Sequence, residues 1–65
     1  RATGLPPWRY VLNRRISRAK ELLADTDLSV KQIGLQVGFK DPDYFSRRFK
    51  QETGFAPTAF RSQAR

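Results

Sequence analysis

Asp43, Ser46, Arg47 and Lys50 recur at i, i+3, i+4 and i+7, so on a helix they line one stripe. The stripe presents a carboxylate acceptor, a hydroxyl, a guanidinium fork and an ammonium. Short polar and basic groups that begin at a helix N-terminus match what base edges and phosphates of a DNA major groove require. Arg47 is the candidate for a two-pronged hydrogen bond to a guanine edge, and Ser46 for a contact to a base or a phosphate. Asp43 has two readings of equal weight: acceptor from a cytosine amino group, or stabiliser of the positive end of its own helix. A plain solvated face is the competing account of the stripe, since most helices turn polar residues to water.

Catalysis finds no complete set of groups. The chain has no His and no Cys, there is no Gly-rich phosphate loop, and nothing is placed to activate Ser46. Asp41 and Asp43 are better explained by the start of a helix than as paired acids. The reading is therefore not an enzyme, with no cofactor and no metal. The lack of Cys excludes disulfides and leaves almost no basis for a structural zinc.

Thirteen Lys and Arg against six Asp and Glu give a formal charge of +7 over 65 residues. That balance favours a polyanionic partner through counterion release, although a merely solubilising surface is also common on small domains. The length allows one small domain with a single core. No apolar run is long enough to span a bilayer and no signal-peptide pattern is present, so a cytoplasmic, nucleoid-associated location is expected. A chain opening on Arg1 rather than Met reads as a piece of a longer protein.

The elements that must position the stripe follow from apolar spacing. Trp8, Leu12, Ile16, Ala19 and Leu23 mark an amphipathic helix over residues 7–24, punctuated at its start by Pro6 and Pro7. Arg15 falls inside the apolar stripe, where its stem can pack while its guanidinium finds a carboxylate. Ser29 suits the cap of a short helix carrying Val30, Ile33 and Val37. Gly34, next to Ile33, either lets the following helix approach closely, the favoured reading, or is a merely tolerated glycine. Gly38 then suits the left-handed residue that closes a helix, Phe39 is an apolar plug, Asp41 caps the next helix and Pro42 opens it. Phe45 and Phe49 mark the buried side of that helix, which Gly54 ends. Phe55 follows as a second plug, and Pro57 opens a last short helix over 57–63. The fold class is all-α, a small helical domain built on a helix-turn-helix over 29–53, with a homeodomain-like three-helix core plus a preceding linker helix. Trp8, Leu12, Ile33, Phe45, Phe49 and Phe60 are the expected core.

Four segments in this order, RISRAKELL (Arg15 to Leu23), VKQIGLQVGF (Val30 to Phe39), YFSRRFKQETG (Tyr44 to Gly54) and the closing AP..FR (Ala56 to Arg61), resemble the DNA-binding domain of the AraC/XylS family of bacterial transcription regulators. The resemblance covers nearly the whole chain. It implies a pair of helix-turn-helix units joined by a linker helix, of which this chain holds the linker helix and the second unit, with the first unit and any effector domain upstream. Carried over by position, it implies base contacts at Asp43, Ser46 and Arg47, and phosphate contacts at Ser29, Lys31, Gln32, Lys40 and Lys50. Three positions depart from the family pattern: Phe60 stands where Tyr is frequent, Ala56 where a capping Ser is common, and Gly34 where Ala is common.

The expected function is sequence-specific binding of double-stranded DNA within such a regulator. An alternative is a protein-interaction module that meets RNA polymerase, or an upstream domain, through Arg14, Arg18 and Arg48. Membrane-surface binding is weaker, because a compact core would consume the apolar stripe around Trp8.

Overall fold

The computed structural model describes residues 7–64 and contains four helices: α1 (Pro7–Asp25), α2 (Val30–Gln36), α3 (Pro42–Thr53) and α4 (Pro57–Ala64). Pro6 lies outside the described residues. α1 packs against α2 and α4, and α3 packs against the same two helices. The expected all-α class is therefore what is observed, with no strand among the described residues.

α1 contributes Leu12, Ile16, Ala19, Leu22 and Leu23 to a core that Ile33, Val37, Phe39, Phe45 and Phe49 complete. Phe45 and Phe49 are fully buried. A row of ring contacts runs through the domain, with Phe39 to Phe45 at 5.2 Å, Phe45 to Phe49 at 5.8 Å and Phe49 to Phe60 at 5.4 Å between centroids. Tilted and edge-on pairs at such distances add to simple area burial. They tie the inner face of α3 to the turn before it and the helix after it.

Two apolar residues of the expected architecture are not buried. Trp8 is 62% exposed, so it is no part of the core. The reason is length: α1 spans about 28 Å, whereas α2 and α4 span only about 10 and 12 Å, and they cannot cover α1 from end to end. Phe55 is 41% exposed. Its backbone N–H donates to the Thr53 hydroxyl beside left-handed Gly54, which makes it a turn residue and not a plug.

The turn between α2 and α3 follows its local chemistry. Gly38 has φ +107°, its N–H donates to the Leu35 carbonyl, and the Phe39 N–H donates back to the Gly34 carbonyl. This is the reciprocal closure that satisfies the last carbonyls of a helix. Phe39 is then buried. Asp41 caps α3, its Oδ1 accepting from the Asp43 N–H at 3.0 Å, and Pro42 takes the first helical position. At Gly34 a Cβ would sit 2.9 Å from Cδ2 of Phe45. The glycine thus permits the close α2–α3 approach, as expected.

Candidate nucleic-acid interface

The recognition stripe stands on a helix whose other side is immobilised. Phe45 and Phe49 are fully buried, while Asp43, Arg47 and Lys50 are exposed and Ser46 is half-buried. Among the described residues, no hydrogen bond or ion pair engages the Arg47 or Lys50 side chain. Asp43 lies in the first turn of α3 and Lys50 in its last. Each charge therefore complements the nearer end of the helix dipole. Because Asp41 supplies the cap, the Asp43 carboxylate is left facing outward.

The residues expected at phosphates divide between two places. Lys40 lies in the turn before α3 and shares with Arg47 the edge of an open groove of about 820 Å³, floored by Leu12 and Phe39. Ser29, Lys31 and Gln32 lie at the start of α2, all exposed. Ser29 and Gln32 form a reciprocal capping box: Ser29 Oγ accepts from the Gln32 N–H at 3.1 Å, and Gln32 Oε1 accepts from the Ser29 N–H at 3.0 Å. Each side chain spends an acceptor in this way and keeps its donor, the Ser hydroxyl or the Gln amide, free to meet an anion. Lys31 and Lys40 point to solvent without an intramolecular ion pair among the described residues.

Several basic residues are committed to the fold, and two of them correct sequence expectations. Arg48 is not an exposed cation. It is half-buried, donating to Glu52 Oε2 at 3.2 Å and to Gln51 Oε1 at 2.8 Å. The i, i+4 spacing of Arg48 and Glu52 was readable as a helical ion pair. Arg15 finds a ring rather than a carboxylate: its guanidinium lies 5.8 Å from the centroid of Phe39, against the turn at Gly38. This is a cation–π contact to the plug residue. Arg18 pairs with Glu21 on the outer face of α1, and Arg14 lies over the Tyr10 ring.

Sequence reasoning missed two further arginines. Arg9 forms a two-pronged pair with Glu52, Nη1 to Oε2 at 2.7 Å and Nη2 to Oε1 at 2.9 Å, which joins α1 to α3 across 43 positions. Arg61 reaches from α4 to the carbonyls of Leu23 (3.1 Å), Thr26 (3.1 Å) and Leu28 (2.6 Å). No local spacing signals either contact. Among the described residues, no group of three or more His, Cys, Asp or Glu could hold a metal, and no helix is long and apolar enough to cross a membrane.

Comparison with known proteins agrees with this geometry. The family described as "Helix-turn-helix domain" matches residues 1–63. The arabinose operon regulatory protein of Escherichia coli is 47% identical over 55 residues, covering 85% of this chain and 18% of that protein. The MmsAB operon regulatory protein of Pseudomonas aeruginosa is 40% identical over 63 residues, covering 97% of this chain and 20% of that protein. The chain belongs to the AraC-type helix-turn-helix family. A solved structure of similar shape is the C-terminal domain of the two-component response regulator yesN from Fusobacterium nucleatum, with a TM-score of 0.88 and 39% identity over 91% of this chain and 57% of that one. The names of these and other relatives are those of operon regulatory proteins and a transcriptional activator. The chain spans about a fifth of the length of the curated relatives it matches.

Proposed function

We propose that α3 lies in the major groove of duplex DNA, with Arg47 bidentate to a guanine, Ser46 at a base or phosphate, and Asp43 accepting from a cytosine amino group. Ser29, Lys31, Gln32, Lys40 and Lys50 hold the flanking phosphates. The observation that carries this reading is the two-sidedness of α3: Phe45 and Phe49 anchor it fully buried, while Arg47 and Lys50 project without intramolecular partners among the described residues. A rigid helix with uncommitted donors can discriminate base edges, whereas a floppy one spends that discrimination on being ordered.

The chain serves, in this reading, as the linker helix and second unit (residues 7–24, 29–53 and 57–63) of a two-unit DNA-binding domain. An upstream unit of the parent protein supplies the adjacent groove. The parent acts in the cytoplasm at the nucleoid and performs no catalysis, in keeping with relatives whose names are those of transcription regulators. Contact with RNA polymerase through Arg14 and Arg18 on the outer face of α1 is compatible with DNA binding.

The test is titration of the chain into a pool of duplexes of mixed sequence at two salt concentrations, with bound sequences recovered. Enrichment of a short motif, lost at one base pair in Arg47→Ala at a cost of about 1–3 kcal/mol, supports the reading. A loss for Arg47→Ala that is equal on every sequence would reduce Arg47 to a phosphate contact.

A further inference from the structure

Glu52 sits where α1 meets α3, in a way that DNA contact does not explain. It lies five positions after Arg47, which on a helix places it about 140° away from that residue and beside Phe45 and Phe49. Its side chain is 14% exposed, and its two oxygens accept three hydrogen bonds: two from the Arg9 fork and one from Arg48. Arg48 in turn has a buried Nε with no partner. α1 and α3 otherwise meet only weakly, each packing chiefly on α2 and α4. The Arg9–Glu52 fork is therefore a direct strut between the long helix and the recognition helix. Its planar, two-pronged geometry fixes direction as well as distance.

We infer that Glu52 is a positioning residue for sequence discrimination: with Arg9 it sets the rotation of α3 about its axis, and it keeps the Arg9 and Arg48 guanidiniums off the DNA backbone. The second role follows from charge. Glu52 pairs with two arginines at once, Arg9 and Arg48. Arg48 lies one position, about 100° around α3, from Arg47, and it lines the same open groove as Arg47 and Lys40. Without Glu52 it is a free cation beside a polyanion, where it adds affinity for any sequence. The strut thus serves specificity through geometry and through suppression of unselective charge, and the inference rests on the DNA-binding reading above.

Three proteins decide it: the unaltered chain, Glu52→Gln and Arg9→Lys. Each is measured for binding to the enriched motif and to a scrambled duplex across a salt series, after circular dichroism has shown it folded at the assay temperature. Glu52→Gln is expected to lower the ratio of specific to unselective affinity on the order of tenfold, within the range of one good base contact. It should also steepen the salt dependence on scrambled DNA by about one unit, as a released arginine finds a phosphate. Arg9→Lys keeps the charge and loses the fork, so it should lower the ratio with the salt dependence unchanged.

A purely structural Glu52 would reduce both affinities by the same factor and leave ratio and salt dependence alone, and that result overturns the inference. Should Glu52→Gln not fold, Arg9→Lys decides on the ratio alone. Failure of the unaltered chain to select any motif would defeat the DNA-readout reading itself. Selection by the unaltered chain with unchanged ratios in the variants would defeat only the inference.

Discussion

Replacing Arg61 by Ala removes a guanidinium that serves three backbone carbonyls at once. Nε donates to Leu23, and Nη2 donates to Thr26 and Leu28, all at or just beyond the C-terminus of α1. The last carbonyls of a helix have no partner within it, and a cation there also meets the negative end of the dipole. Each charge-assisted hydrogen bond is worth about 1.5–3 kcal/mol when well buried. Arg61 is only half-buried and water can replace part of what it supplies. The three bonds are also not additive, so a total of about 2–3 kcal/mol is the reasoned value. In a domain of this size 1 kcal/mol moves Tm by about 4–8 °C, which sets an expected fall of roughly 8–24 °C. Thermal and urea unfolding followed by far-ultraviolet circular dichroism measure it, with an unchanged urea m-value confirming that the unfolding reaction is the same. Arg61→Lys should recover only part of the loss, because one ammonium on a flexible stem does not reproduce the fork. A loss below about 0.5 kcal/mol for Arg61→Ala, or full recovery by Lys, would refute the view that this residue ties α4 to the end of α1.

Other perturbations separate fold from interface. Gly34→Ala gains about 1 kcal/mol of helix propensity but drives a methyl against the buried Phe45 ring, at a cost of about 1–3 kcal/mol, so a net loss near 1 kcal/mol is expected in urea unfolding. A net gain would mean that α3 can move away from α2 freely. Asp41→Ala removes the α3 cap and should cost about 1 kcal/mol in the same assay, while Asp43→Ala, which is not the cap, should cost less. Lys31→Ala and Lys40→Ala should each weaken all DNA sequences alike and flatten the logarithmic salt slope by about 0.9, as a fluorescence titration across salt would show. An unchanged slope removes that residue from the phosphate set.

Local structure and the outward stripe were legible in the residues because both are governed by interactions over a few positions. Gly38 and Gly54 adopt positive φ where the chain needs a left-handed residue, and Asp41 and Ser29 cap the helices they precede. The 3.6-residue period placed Asp43, Arg47 and Lys50 opposite Phe45 and Phe49 without any knowledge of the rest of the chain. What the tertiary structure alone decided is the fate of Arg9, Arg61 and Trp8. Arg9 meets Glu52 and Arg61 meets the end of α1 across 43 and up to 38 positions, separations at which no periodicity constrains which charge meets which. Trp8 is apolar and in phase with the core, yet it is exposed because the helices packed on α1 are too short to reach it. Spacing tells which way a side chain points from its own helix. Only the packing of helices of unequal length tells what, if anything, stands there to receive it.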